Sequence, residues 1–141
     1  MIITDSNILV YASVKDSARH VEAKKWLDEK LNSNAPVGMP WQSLQRFLRI
    51  VTNPRIFNPP VSSGDAWSVV NYWLDCETVW IPQPTARHRS ILDGIYKNLK
   101  PQGNLVPDAH LAALAIEHGL ILCSTDGDFG RFKGLSWINP L

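Results

Sequence analysis

"PDAHLAALAIEHGLILCSTDGDFGRF", residues 107–132, decides how the rest of the chain is read. It opens as a helix, with Pro107 near the start, Asp108 in the first turn and Gly119 just past the end, the usual asymmetry of helix termini. A buried strand over "LILCS" follows and runs into Asp126 and Asp128, two acids one residue apart. A turn accepts such residues because their side chains bond the local backbone. A metal site uses them as hard oxygen ligands.

Outward from this segment the same alternation repeats. "MIIT" is a short apolar strand ending at Asp5, and Ser6 or Asn7 is expected to cap the helix "ILVYAS". Residues 17–31 have helical spacing, and "VGM" between Pro36 and Pro40 is a second strand. From Trp41 to Thr52, Trp41, Leu44, Phe47, Leu48 and Val51 form one apolar helical stripe, and Gln42, Gln45, Arg46 and Arg49 form the opposite face. "NPRIFNPPVSSG" ends that helix, since the residue before a proline disfavours helical backbone. Helices over 63–76 and 85–99 flank the strand "TVWIP", and "LSWINPL" supplies a last strand. Trp26, Trp41 and Trp73 fall on apolar stripes and are expected inside, whereas Trp67 and Tyr72 are candidates for a partner surface. The pattern predicts an α/β fold with a mainly parallel central sheet, in one domain spanning 1–141.

The totals limit the function. At 141 residues with a net charge of +1, no global basic field gathers nucleic acid, so any polyanion contact must be local. Cys76 and Cys123 lack metal-ligand spacing and are expected to be reduced core thiols. The N-terminal segment lacks a basic leader, and no apolar run approaches the ~18 residues that span a bilayer. The expectation is a cytoplasmic protein with no membrane partner.

In parallel sheets, ligands collect outside the carboxyl ends of the strands. Asp5 follows the first strand, Asp126 follows the strongest one, and the helix carrying Asp108 must start at the same rim. Three acids distant in the chain, with Asp128 behind them, are therefore expected to converge. Carboxylates held that closely repel, and one takes up a proton unless a cation neutralises them. Mg²⁺ or Mn²⁺ answers this electrostatic problem and suits phosphodiester hydrolysis, because such an ion activates water and steadies phosphoryl charge. Each acid also has a local reading: Asp5 as a helix cap, Asp108 as a favourable first-turn charge, Asp126 and Asp128 as turn residues.

"DSNILVYA", "PDAHLAALAIEHG" and "STDGDFGRF", in that order, resemble the signature of the PIN domain. "FLRIVTNPRIF" and "FKGLSWINPL" narrow the resemblance to the toxins of VapBC toxin–antitoxin modules, in their mycobacterial branch. The resemblance spans essentially the whole chain. It implies a Rossmann-like three-layer α/β/α sandwich and a Mg²⁺- or Mn²⁺-dependent endoribonuclease leaving 5′-phosphate ends. Asp5, Asp108 and Asp126 match its metal-site acids. Asn7 and Thr125 (or Ser124) match supporting residues, and Asp128 matches a further acid of the catalytic set. It also implies a transfer or ribosomal RNA substrate, a VapB-type antitoxin and a homodimer.

One position departs from the family. Where a glutamate is usual on the third helix, this chain has Arg46, which can dock on the aspartates, contact RNA phosphate or face solvent. Arg46, Arg49, Arg131 and Lys133 are the candidate RNA contacts, with Arg55, Arg87, Arg89, Lys97 and Lys100 as further cations. His110 and His118 are weaker candidates for a catalytic base. The alternative is a catalytically weak or inactive PIN module that binds RNA or protein. A phosphatase reading is disfavoured because the position two after Asp5 is Asn7, not an acid.

Overall fold

Ile2 and Ile3 point to opposite faces of an extended segment, and both faces are covered. The computed structural model describes all residues 1–141. Strand β1 (Ile2–Thr4) lies at the centre of a five-stranded sheet with β2 (Val37–Gly38), β3 (Val79–Trp80), β4 (Ile121–Cys123) and β5 (Trp137–Ile138), in the order β3-β2-β1-β4-β5. Every pairing is parallel, as expected of a sheet buried on both sides. The strands are only two or three residues long, so the helices supply most of the core.

Helices α1 (Ser6–Ser13), α2 (His20–Leu31), α3 (Trp41–Val51) and α4 (Ser63–Asp75) cover one face. Their core holds Leu9, Leu27, Phe47, Val70 and Trp73, with Ile2 packed against it. Helices α5 (His88–Asn98) and α6 (Leu105–His118), with a 3-10 turn over Gly127–Arg131, cover the other. There Ile3, Leu111, Ala112, Leu122, Phe129 and Phe132 form the core. The result is the α/β fold with a parallel sheet expected from the pattern, in the three-layer α/β/α form that the resemblance implied. No helix is long and apolar enough to cross a membrane.

Several local expectations change. Asp5, not Ser6 or Asn7, caps α1: its carboxylate accepts from the Ser6 N–H at 2.7 Å. Helix α2 begins at His20 rather than 17, because Ser17 N and His20 N close turns on Val14 O and Ser17 O. Trp73 is buried against Phe47, but Trp41 is 40% exposed, since it is the first residue of α3 and projects at the sheet rim. Trp67 and Tyr72 are exposed, as their positions suggested. Both cysteines are free; Cys123 is buried and its thiol is pushed up to about 12 by desolvation, whereas Cys76 is only partly covered.

Gly38 sets how closely β1 and β2 are flanked. A Cβ there would lie 2.8 Å from Pro82 Cγ and 3.2 Å from the Ile2 carbonyl oxygen. Gly38→Ala should therefore displace β2 or Pro82 and cost about 1–3 kcal/mol, seen as a lower midpoint in urea unfolding with an unchanged slope.

Candidate active site

The strand order reverses between β1 and β4, with β2 and β3 on one side of β1 and β4 and β5 on the other. Such a switch point leaves a crevice at the carboxyl ends of the strands. Thr4 stands opposite Cys123 in the β1–β4 register, so the residues that follow, Asp5 and Ser124, meet at this crevice. The Asp5 N–H still bonds the Cys123 carbonyl at 3.0 Å. The side chains then take over: Ser124 Oγ donates to Asp5 Oδ2 at 2.7 Å.

Ser124 is the hub of the site. Its fully buried hydroxyl also accepts from Asn7 Nδ2 at 3.0 Å and from the Asp126 N–H at 3.0 Å. One side chain thus joins the end of β1, the first turn of α1 and the turn after β4. The Thr125 hydroxyl was expected to support the acids, but that residue contributes its N–H, 3.5 Å from Asn7 Oδ1. Successive side chains leave an extended strand on opposite sides, and it is Ser124 that faces Asp5. The sequence offered both hydroxyls; only pairing with β1 distinguishes them.

Asp108 arrives on α6, whose first turn opens onto the same rim. Gln42 Nε2 on α3 donates to the Pro107 carbonyl at 3.2 Å, and Ser43 Oγ donates to the Thr4 carbonyl at 2.8 Å. These bonds tie α3 to both α6 and β1. Between them lies a cleft of about 430 Å³ walled by Asp5, Asp108, Gln42, Gln45, Arg46 and Arg49, among others. Asp5 and Asp108 are both buried. Asp126 and Asp128 stand beside the cleft rather than in its wall. Asp126 Oδ1 accepts from the Asp128 N–H at 2.9 Å and caps the 3-10 turn, so the local turn reading also holds. The Asp128 side chain is exposed.

Burial raises the Asp5 carboxyl above its ordinary value; bonds from Ser124 and Ser6 and the charge of Arg46 pull the other way. Asp108 is pushed up to about 6 by burial first, then by Asp5, with Asp126 and Asp128 adding to it and Arg46 opposing. Asp108 is thus the acid that feels the charge of the other three. No three His, Cys, Asp or Glu side chains are drawn together into a ready-made metal cage. The donors do suit a hard cation: the acids at the crevice offer carboxylate oxygens and no thiolate. Mg²⁺ needs only one or two carboxylates and keeps waters as its other ligands.

The candidate RNA contacts separate into two groups. Arg46 and Arg49 line the acid cleft. Arg131 lies 4.0 Å from Asp128, and with Lys133 it borders a different hollow, beside Ile95, Leu99 and Ile116. The histidines have structural partners: His118 Nε2 donates to the Gln83 carbonyl at 2.7 Å, and His110 packs near His88. His88 in turn pairs with the buried Glu117 carboxylate, which also accepts the Thr85 N–H. A larger hollow at the other end of the sheet, lined by Met1, Asn32, Pro36, Thr78 and neighbours, contains a single acid, Glu77.

A PIN-domain family model matches residues 2–135. The chain belongs to the PIN-domain family. Ribonuclease VapC37 of Mycobacterium tuberculosis is 39% identical over 140 residues, covering 99% of this chain and 97% of that protein. Ribonuclease VapC43 of the same species is 36% identical over 141 residues, covering 100% and 96%. Among solved structures, this PIN domain resembles VapBC2 from Rickettsia felis, bound to a promoter DNA fragment, with a TM-score of 0.73 at 19% identity over 99% of this chain and 98% of the other. It also resembles M. tuberculosis VapC20, a sarcin–ricin-loop-cleaving toxin, with a TM-score of 0.68 at 18% identity, covering 96% and 99%.

The raised Asp108 has a measurable consequence. Between its ordinary 3.8 and about 6, the folded PIN domain holds a proton that the unfolded chain has released. Stability from this group therefore falls as pH rises through that window and stays lower above it. In metal-free buffer, Asp108→Asn should stabilise the fold at pH 7.5 by about 1–2 kcal/mol after allowance for solvent screening, read as a higher thermal midpoint. The gain should vanish near pH 4; equal midpoints at both pH values would contradict the electrostatic reading.

Proposed function

We propose that this PIN domain, acting as one domain, is a Mg²⁺- or Mn²⁺-dependent endoribonuclease and the toxin partner of a VapB-type antitoxin. The observation that carries this reading is the burial of Asp5 and Asp108 in one cleft at the β1–β4 switch point, where Asp108 is pushed up to about 6 by burial first and then by Asp5. The names of the VapC ribonucleases supply the reaction class, and the toxin–antitoxin complexes among its structural neighbours supply the partner class. A cytoplasmic site of action follows from an RNA substrate, with transfer or ribosomal RNA the expected target.

Asp5, Asp108 and Asp126 would hold the cation. When bound, it neutralises phosphoryl charge and makes water a better nucleophile. Ser124 fixes the Asp5 carboxylate and, through Asn7 and the Asp126 N–H, the relative positions of the two strand ends. Arg49 and Arg46 give the cleft cations for the RNA backbone, whose phosphates dominate nucleic-acid affinity. Asp128, exposed beside the turn, would act at longer range on the same charge.

Purified protein freed of any partner should cut total RNA into discrete fragments with Mg²⁺ or Mn²⁺ and not with EDTA. Those fragments should carry 5′-phosphates and disappear with Asp5→Asn, which keeps the side chain's shape. Ends carrying 2′,3′-cyclic phosphate would rule out hydrolysis by water. Ser124→Ala should lower metal affinity about 10- to 100-fold, the usual effect of removing a group that orients a ligand, as read by calorimetry. The Arg46–Asp108 pair supports a second reading, a binding module without turnover. In that case RNA binding survives EDTA and no metal elicits cleavage.

A further inference from the structure

Arg46 Nη1 lies 3.6 Å from Asp108 Oδ1, across the cleft that also holds Asp5. The contact is an ion pair but too long for a good hydrogen bond, and no hydrogen bond from Arg46 to any group holds the guanidinium in place. The Arg46 side chain is 32% exposed and that of Asp108 only 7%. A partly solvated cation without a hydrogen bond of its own thus covers a carboxylate that is otherwise poorly compensated. Its charge is felt by Asp5 as well as by Asp108.

A carboxylate held by a bidentate arginine fork, or buried beneath one, would surrender it slowly and at high cost. The geometry here is the opposite: one long contact, a side chain only part-buried, and open cleft beside it, lined by Gln45 and Arg49. We infer that Arg46 is an exchangeable resident counter-ion, competing with the divalent cation for Asp108 so that metal binding requires the guanidinium to leave. This inference rests on the metal-dependent reading of the site and adds a regulatory property to it. The unliganded protein has its acids partly neutralised and its metal affinity held down. An anion that draws Arg46 away, such as a phosphate of bound RNA, would make metal loading easier, so substrate and cation would favour each other through this one side chain.

The experiment is Mn²⁺ titration by calorimetry of the full chain without RNA, comparing the parent, Arg46→Gln, Asp108→Asn and the double variant. Arg46→Gln should bind Mn²⁺ at least about tenfold more tightly, the scale of one pKa unit of differential interaction. The gain should be absent in the Asp108→Asn background, because exchange requires that carboxylate. A gain that persists there overturns exchange in favour of a general charge effect. Equal affinity of the parent and Arg46→Gln overturns this inference alone. Absence of binding by both overturns it together with the metal-dependent reading. A second measurement needs no variant to bind metal: in the parent protein, Mg²⁺ should shift the Arg46 Nε–H resonance as the pair opens, and an unmoved resonance at saturating Mg²⁺ overturns the exchange.

Discussion

The parallel pairing of β1 with β4 is the constraint on which the site depends. Three residues on each strand are matched, Ile2 to Ile121, Ile3 to Leu122 and Thr4 to Cys123. A slip of one residue would turn Ile3 and Leu122 away from the α6 core and would separate Asp5 from Ser124. The same few backbone bonds therefore secure the apolar layers and bring two strand ends 119 residues apart into hydrogen-bonding contact. Burial of Ile3 and Leu122 on one face, and of the α1–α4 core on the other, resists such a slip.

Against that stabilising constraint stands the repulsion among the acids. The Asp5 carboxylate is partly satisfied by Ser124 and Ser6, whereas Asp108 has little beyond Arg46. Glu117 on the same helix shows the contrast: burial pushes its carboxyl up, but the His88 pair and the Thr85 N–H outweigh it and hold the carboxyl below its ordinary value. Helix α6 thus carries a satisfied acid near its end and an unsatisfied one at its start. Unsatisfied charge of this kind is typical of sites that bind or react.

The alternation of strands and helices, the parallel sheet and the placing of Asp5 and Asp108 at one rim were legible, because they follow from periodicity and from the direction of chain travel. That Asp126 and Asp128 stand outside the cleft wall was not, nor were the finer details. Trp41 shares the apolar stripe of α3 with Phe47, yet its place at the first helical position leaves it in solvent, and a stripe does not reveal which end projects beyond the sheet. Ser124 and Thr125 are equivalent by type, and pairing with β1 distinguishes them. Asp5 is both a cap and a member of the acid cluster, so the local and the chemical readings were never alternatives. Arg46 was visible as a departure from the family. Whether it would face solvent or the acids depends on how α3 is held, through Gln42 and Ser43, against α6 and β1.

Because Asp5 both starts α1 and receives the buried Ser124 hydroxyl, its retention has two independent causes. A descendant of this chain that no longer needed catalysis would still lose a helix start and orphan a buried donor by replacing Asp5 with an apolar residue. Asp128, exposed and bonded through its backbone, has no comparable obligation to the fold. An Asp5 that persists therefore reports on the fold as much as on the chemistry, whereas replacing the Asp128 side chain costs the fold little.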